Sequence, residues 1–347
     1  MSYQARSLKP LKHPGVWGSL LAFRHLVRWR EWYYSKIPLF FVGMGYAALR
    51  VQHPGPAQAG QMAALLVLLC LYAAFGHLIN DYADRDIDRA AGKNRLLATW
   101  SERTALIAVA IPCIGTVGIA LLCLDASAIA MTTVAILLAA LYSLPPLRLK
   151  ERGVLGWGAA ALAQRTLPLI IIFEALKGWD VVAVGLTVLS TLIGLRWIIA
   201  HQLQDRDNDR RSDVHTVATA QNPQRLVAMS HVLFTFEFVC ACAVVATMSY
   251  FVPPVGVAAL AYTGGLGAPR RGDKPALPVA HSEYFYCVVW PITLAVMLSF
   301  QEPLFLSMLF VAFTFVPRNA WLNFRAAFAE LRAAFTSPER PASIVLR

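Results

Sequence analysis

The sequence predicts an all-α fold, a polytopic membrane bundle of nine to ten transmembrane helices around a central cavity. Hydrophobic residues make up 57% of the 347 residues and charged residues only 15%, with a mean hydropathy of +0.53. A soluble domain of this length carries roughly 25% charged residues. Apolar runs of about 16–24 residues recur along the chain, the length that crosses a hydrocarbon core. Alternating barrel-type strand patterns are absent from the sequence, so helices must satisfy the backbone within lipid.

Three regions follow from the apolar pattern. Residues 1–35 form a basic N-terminal segment, in which Val16–Tyr33 mixes Trp and Leu with Arg as interfacial helices do. Residues 318–347 form an amphipathic tail, also predicted to be an interfacial helix or else a soluble tail helix. Between them, residues 36–317 form the transmembrane domain, with nine crossings instead of ten if its last two segments are partly re-entrant. The predicted segments are 36–51, 60–80, 104–123, 127–145, 156–176, 181–203, 225–249, 251–267, 284–300 and 303–317.

The net charge of +11 is distributed as expected for a membrane protein and does not indicate nucleic-acid binding. Basic residues lie in alternate loops, whereas the loops between them contain only Lys177. The positive-inside rule therefore places the basic loops and both termini in the cytoplasm, which we interpret as the inner side of a bacterial inner membrane. The six cysteines lack CxxC spacing and are interpreted as small core residues.

Two acidic stretches, His77–Arg95 and His201–Thr216, each end an apolar segment at this cytoplasmic face. In the first, a helix places Asn80, Asp84 and Asp88 on one face at i, i+4 and i+8, with Asp81 one turn before Asp84. The second places three polar side chains on one face at i, i+3 and i+7 in the same way. They are Gln202, Asp205 and Asp209.

The pair Asp84 and Asp88 recurs at the same spacing as Asp205 and Asp209. We interpret the recurrence as a pseudo-repeat of four-helix units, which brings the two helix ends face to face. Carboxylates on one helix face repel one another, and a hard divalent cation removes that cost. Mg²⁺ prefers oxygen ligands and is usually held by one or two carboxylates together with substrate phosphates. The alternative is a pair of solvated loops with intermixed salt bridges.

Together these stretches resemble the signatures of the UbiA superfamily of intramembrane prenyltransferases. The first resembles the NDxxDxxxD motif and the second the DxxxD motif. The stretch from Tyr142 to Lys150, which reads YSLPPLRLK, resembles the YSxPPxRxK loop of the superfamily. Arg28 and Trp32 resemble its Arg-x3-Trp entry into the first helix. The likeness covers roughly residues 25–300 with the motifs in the right order.

The resemblance implies transfer of a prenyl group from a polyprenyl diphosphate to an acceptor, most often an aromatic ring, through an allylic carbocation. It implies Mg²⁺ as the cofactor and the lipid bilayer as the surroundings. Four aspartates are expected to be catalytic: Asp84, Asp88, Asp205 and Asp209. The expected metal ligands are Asn80, Asp81, Asp84, Asp88, Asp205 and Asp209. The expected diphosphate-binding residues are Lys93, Arg95, Tyr142, Ser143, Arg148 and Lys150.

Several further polar residues lie within or beside apolar segments, where a charge facing lipid is costly. Four such residues are Arg165, Arg196, Glu174 and Glu237. Arg165 and Arg196 can neutralise the acidic cluster or touch substrate, or else form structural ion pairs within the bundle. The residues considered as possible substrate contacts are Arg28, Arg165, Arg196, His201 and Gln202.

Two other functions are compatible with the sequence. A UbiA-type terpene cyclase closes the carbocation on its own chain and needs no external acceptor. A membrane transporter is a third possible function. Against it, the carboxylates cluster at one membrane face, whereas transport sites typically lie near the midplane of the bilayer.

Overall fold

The computed structural model describes residues 23–50, 55–90, 92, 95–211, 216–251 and 285–321. Regular structure in these ranges is helical, and no strand occurs in them. Short 3₁₀ turns at Leu149–Glu151 and Pro303–Phe305 and π-helical turns at Leu162–Thr166 and Phe285–Val289 join or precede the α-helices. Residues 23–26 and 316–321 are also helical. The α-helices used below are α1 Trp29–Leu49, α2 Pro56–Ala83, α3 Arg85–Ala90, α4 Leu96–Thr99, α5 Glu102–Cys123, α6 Ala126–Ser143, α7 Val154–Ala161, α8 Leu167–Ala175, α9 Val181–Arg211, α10 Val217–Ala220, α11 Pro223–Phe251, α12 Trp290–Gln301 and α13 Leu306–Phe313.

Length and apolar composition allow six of the described helical stretches to cross a membrane. Shorter apolar stretches at Tyr286–Gln301 and Pro303–Phe313 follow them. The predicted class, a polytopic helical bundle, is confirmed. The predicted segment 251–267 lies outside the described residues, so the choice between nine and ten crossings stays a prediction. The six stretches are Pro56–Ala83, Glu102–Cys123, Ala126–Ser143, Val154–Ala175, Val181–Asp207 and Pro223–Met248.

The outer surface of the bundle is apolar. Leu121 and Leu122 on α5, and Phe236 and Val239 on α11, are exposed large hydrophobic side chains. Water would penalise such a surface, whereas lipid tails match it. The protein is therefore an integral membrane protein.

Helix α1 is the most enclosed element, because it packs against α2, α8 and α12 and is buried along most of its length. The interfacial helix predicted over Val16–Tyr33 lies partly outside the described residues and stays a prediction, and Trp29–Tyr33 forms the first residues of α1. Trp32 is only 1% exposed and donates its indole N–H to the carbonyl of Val27 at 2.7 Å. Trp29 stacks on Tyr33, so these aromatic rings pack against one another at the start of α1.

The fifth predicted segment, 156–176, corresponds to α7 and α8 joined by the π-helical turn Leu162–Thr166. A π turn contains one residue more than an α turn, and such turns are common at functional sites. Tyr72 on α2 fixes the position of this turn, because its hydroxyl lies 2.7 Å from the carbonyl oxygen of Ala163 and 3.2 Å from that of Ala135. The turn therefore has a defined place in the wall of the bundle.

At the opposite end of the bundle, the loop before α6 is held by charge. Asp125 caps α6 by accepting the backbone N–H of Ala128 at 3.1 Å. It also forms an ion pair with Lys177, which holds the pKa of the Asp125 carboxyl below its usual value. Glu174 lies at this end as well, where it accepts hydrogen bonds from Ser127 and Trp179.

Candidate functional site

A cavity of about 620 Å³ opens between α1, α2, α6, α7, α8 and α9. Both acidic stretches contribute to its wall, so the sequence-predicted partners do meet in the fold. The inner part of the wall is largely apolar and aromatic, with Phe40, Tyr72, Ala139, Pro168 and Trp197 among its residues. A polar mouth above an apolar chamber suits a ligand with a charged head and a hydrocarbon tail.

Helix α2 ends at Ala83, and Asp84 is its C-cap before the short helix α3 begins. The backbone N–H of Asp88 still donates to the carbonyl of Asp84 at 2.8 Å, so the helical path continues across the junction. For this reason Asn80, Asp84 and Asp88 all line the cavity, as their spacing predicts. Helix α3 is anchored by Arg85 and Arg89, which donate to carbonyl oxygens of Leu97, Ala98 and Trp100.

Asp81 has a different environment from the one its motif predicts. It does not line the cavity, and its carboxylate accepts a hydrogen bond from Arg28 at 3.0 Å in a buried ion pair. Arg28 itself lines the cavity and also pairs with Glu31. The consecutive positions 80 and 81 point about 100° apart on a helix, so only Asn80 faces the cavity. Its role as a metal ligand stays a prediction, and in this structure Asp81 holds the start of α1 in place.

Helix α9 runs unbroken from Val181 to Arg211, and its end provides the opposite wall. Gln202, Asp205 and Asp209 line the cavity from this helix, together with His201. The amide oxygen of Gln202 accepts the indole N–H of Trp157 at 2.9 Å, and His201 Nε2 lies 3.6 Å from an oxygen of Asp205.

The loop after α6 supplies two cations to the same mouth. Arg148 Nη2 lies 2.8 Å from Asp84 Oδ1, and Lys150 Nζ lies 2.6 Å and 2.7 Å from the two oxygens of Asp84. Lys150 also donates to Asn80 Oδ1 at 3.0 Å. Burial lowers the pKa of Lys150, and the neighbouring Asp84 carboxylate opposes that shift. Within the first acidic stretch, Asp84 is therefore paired with two cations that the sequence predicts to bind diphosphate.

The remaining predicted diphosphate-binding residues divide into three groups. Tyr142 lines the cavity. Ser143 and Arg95 do not line the cavity. The hydroxyl of Ser143, which is buried, lies 3.5 Å from Asn80 Oδ1. Lys93 lies outside the described residues.

Arg196 does not line the cavity, although it was considered as a substrate contact. Its guanidinium donates to both oxygens of Glu237, at 2.6 Å and 3.0 Å, between α9 and α11. The structure thus favours the alternative of a structural ion pair within the bundle. Arg165, the other intramembrane arginine, does line the cavity.

Sequence reasoning missed several lining residues, of which Lys36 is basic and lies between helices. A signal existed for Lys36, because it is the single charged residue within the first predicted segment, 36–51, before Arg50 at its end. An ionisable residue within an apolar span is a functional candidate by default.

The oxygen donors at the mouth fit a hard divalent cation in type, since they are carboxylates and amides. In the part of the chain that the structure describes, no three acidic, histidine or cysteine side chains converge on one point as a complete metal site. Mg²⁺ commonly takes one or two carboxylates and completes its shell with water and substrate phosphates. The two walls therefore fit an ion that is bound together with a diphosphate.

A family model described as the UbiA prenyltransferase family matches residues 37–275, which is well over half of the chain. The chain belongs to this family. The match covers both acidic walls and the loop that carries Arg148 and Lys150.

Solved structures of UbiA relatives have the same fold. A UbiA homolog from Archaeoglobus fulgidus bound to GPP and Mg²⁺ is 17% identical, with a TM-score of 0.59 over 84% of this chain and 99% of that one. The same homolog bound to DMAPP and Mg²⁺ gives the same values. A structure of digeranylgeranylglyceryl phosphate synthase is 15% identical, with a TM-score of 0.51 over 85% of this chain and 96% of that one. A comparison with curated protein sequences found no match.

Proposed function

We propose that this chain transfers a prenyl group from a polyprenyl diphosphate to an acceptor within the membrane. The observation that carries the proposal is the meeting of the two acidic walls and the cations Arg148 and Lys150 at the mouth of one apolar cavity. The ligands of the Archaeoglobus fulgidus homolog, a prenyl diphosphate and Mg²⁺, support the same assignment for this chain.

Mg²⁺ would be held by oxygens of Asn80, Asp84 and Asp88 on one wall and Asp205 and Asp209 on the other. When bound, the ion would neutralise charge on the diphosphate and so make it a better leaving group. The catalytic aspartates are the four carboxylates of this set, and Asp81 would act through Arg28 unless the bound state reorients it.

Binding of the donor requires an exchange of ionic partners at the mouth. Asp84 holds Arg148 and Lys150 in this structure, so its carboxylate becomes available to a metal only when these cations turn to another anion. The diphosphate supplies that anion, and both cations then stabilise the charge that develops as it leaves. The hydrocarbon tail lies among the apolar residues, which also exclude water from the allylic carbocation. An aromatic acceptor attacks that cation with a ring carbon, and this carbon then loses its proton to the released diphosphate, which restores the aromatic ring.

The test uses the purified full chain with geranyl diphosphate, Mg²⁺ and an aromatic acceptor, and measures diphosphate release and prenylated product. Asp84→Asn and Asp205→Asn should each lower kcat/KM on the order of a hundredfold or more, because each removes a charge that acts on the leaving group. Matched controls are Asp86→Asn and Asp207→Asn, which lie in the same stretches but do not line the cavity and should retain activity. Removal of Mg²⁺ with EDTA should abolish turnover, and added Mg²⁺ should restore it.

Two results would contradict the proposal. Near-normal activity of either cavity variant would show that the two walls do not act together. A cyclic hydrocarbon formed from geranyl diphosphate alone, without an acceptor, would assign the chain as a terpene cyclase.

A further inference from the structure

Arg148 has an unusual backbone conformation at the mouth of the cavity. Its φ angle is 40°, in the left-handed region, and it directly precedes the 3₁₀ turn Leu149–Glu151. A residue with a Cβ atom is uncommon in this region, because the conformation costs free energy that the surrounding structure must offset. Residues of this kind cluster at ligand-binding sites. The contacts of Arg148 therefore indicate what its conformation achieves.

Glu151 holds Arg148 through both the backbone and the side chain. The backbone N–H of Glu151 donates to the carbonyl of Arg148 at 3.0 Å, and Arg148 Nε donates to Glu151 Oε1 at 2.5 Å. A 3₁₀ turn brings residues three apart to the same side, which favours this pairing. Both residues line the cavity. Glu151 is therefore an acid of the cavity wall that belongs to neither acidic stretch.

The two acids that contact Arg148 engage different parts of its guanidinium. Glu151 accepts from Nε, next to the aliphatic stem, whereas Asp84 accepts from the terminal Nη2 at 2.8 Å. A guanidinium carries five N–H groups in a fixed planar arrangement. The bond at Nε therefore leaves the terminal nitrogens able to exchange Asp84 for another anion while the side chain stays in place.

Arg28, a second arginine of the cavity wall, is held in a different way. It too has a left-handed φ angle, of 52°, and pairs with an acid three residues later, Glu31. Glu31 accepts from both Nε and Nη2, and Asp81 accepts from Nη1 at 3.0 Å. Each nitrogen of Arg28 thus has a carboxylate partner, whereas Nη1 of Arg148 has none among the described residues. Of the two arginines, Arg148 is the one suited to an exchange of partners.

We propose that Glu151 is a positioning residue, which anchors Arg148 at Nε so that its terminal nitrogens can pass from Asp84 to the donor diphosphate. The proposal rests on the function proposed above. Without Glu151, the long side chain of Arg148 would have to be ordered whenever the diphosphate takes the place of Asp84, and that ordering weakens binding. Glu151 also brings a negative charge near an anionic ligand, but its side chain is 42% exposed, so solvent screens the repulsion.

The experiment measures equilibrium binding to the full chain in detergent by isothermal titration calorimetry. The probe is geranyl S-thiolodiphosphate with Mg²⁺, because its bridging sulfur slows the departure of diphosphate. Glu151→Ala should raise the Kd by about threefold to tenfold, the effect expected when one long side chain must be ordered on binding. Glu151→Gln keeps an oxygen that can accept from Nε, so it should raise the Kd by less than Glu151→Ala.

Glu102→Gln is the matched control. Glu102 is an exposed acid in the first turn of α5 and does not line the cavity, so this variant should bind the probe as the wild type does. Thermal unfolding in detergent should give all the variants a Tm close to that of the wild type, which separates a loss of binding from a loss of folding.

A double-mutant cycle tests whether Glu151 acts through Arg148. Arg148→Met should raise the Kd by about tenfold or more, because it removes a hydrogen bond to a charged group. Adding Glu151→Ala to Arg148→Met should then change the Kd by less than about twofold, since no guanidinium remains to be positioned. A purely structural role of Glu151 would instead give the same loss in both backgrounds.

Three outcomes would overturn the role of Glu151. They are an unchanged Kd in Glu151→Ala, tighter binding in both Glu151 variants, and an equal loss on adding Glu151→Ala to Arg148→Met. Tighter binding in both variants would show that the acid only repels the diphosphate. Failure of the proposed function is distinguishable, because it appears as a wild type that does not bind the probe with Mg²⁺ and releases no diphosphate from geranyl diphosphate.

Discussion

Arg196 and Glu237 form an ion pair whose side chains are 1% and 0% exposed. The pair joins α9 to α11, and α9 is the helix that carries Asp205 and Asp209 to the cavity. Within a membrane bundle, either charge alone would be expensive, because neither lipid nor the packed core can solvate it. The pair therefore holds α9 in a fixed position against α11 through a contact outside the cavity.

Removing one member should destabilise the protein more than removing both. Arg196→Met leaves a buried carboxylate without this partner and should lower stability by about 3–5 kcal/mol. The double variant Arg196→Met, Glu237→Leu should recover most of that loss, since two apolar side chains of similar volume can replace a buried pair. Thermal unfolding in detergent measures both effects. A single variant as stable as the wild type would contradict the structural role.

Residue spacing alone predicted the cavity-facing residues of both acidic stretches, because i, i+3, i+4 and i+7 positions share a helix face in any tertiary context. It did not predict the partner of Asp81, since Arg28 reaches it only after the start of α1 has folded across α2. Lys36 was missed for a related reason. The rotation of α1 in the bundle decides whether Lys36 faces lipid, core or cavity, and that rotation is set by its neighbours.

At the scale of the element, the 3₁₀ turn Leu149–Glu151 positions Lys150 and is supported by α7. Gly156 on α7 allows the contact, because an added Cβ would lie 2.5 Å from the carbonyl oxygen of Leu149 and 3.2 Å from Lys150 Cα. Backbone atoms cannot yield to such an approach as a flexible side-chain end can. The position of Lys150 thus depends on the absence of a side chain at Gly156.

Gly156→Ala should displace the turn and raise the KM for geranyl diphosphate by about tenfold, in line with one weakened charge-assisted contact. Gly158→Ala is the matched control, since it lies in the same helix and an added Cβ meets nothing within 4 Å. The control should keep its KM and gain about 0.5–1 kcal/mol in stability from reduced backbone entropy. Equal KM values for the two variants would contradict the role assigned to Gly156.

Helix lengths were predictable to within several residues, because apolar runs of membrane length leave few alternatives. The break of α2 at Asp84 and the π-helical turn Leu162–Thr166 were not predictable from the sequence. Both depend on long-range contacts, such as the bonds of Arg85 to the segment Leu97–Trp100 and of Tyr72 to Ala163. Local sequence does not encode those distances.

For the whole molecule, the two acidic stretches end at the same face although four apolar segments separate them. Charge distribution predicts that this face is cytoplasmic. Asp86 at this end and Lys177 at the opposite end both have well-exposed side chains, at 93% and 63%. They are therefore suitable reporters of the two sides.

Orientation can be measured by cysteine labelling in intact cells, with the six native cysteines replaced by alanine. Asp86→Cys should react with a membrane-impermeant maleimide only after permeabilisation, and Lys177→Cys should react without it. Labelling of both variants after permeabilisation is the control for accessibility. The reverse pattern would place the mouth of the cavity outside the cytoplasm.

The π-helical turn has a consequence for the variation that this fold can accept. Deletion of a residue from an ordinary helix turns everything beyond it by about 100°, whereas deletion from a π turn closes it to an α turn and leaves the flanking helices facing as before. The span Val154–Ala175 can therefore lose one residue here and keep its lipid-facing and core-facing surfaces. The deletion would change the direction in which the side chains of Gln164 and Arg165 point at the cavity wall. Chain length at this turn thus provides a way to alter the chamber without disturbing the bundle around it.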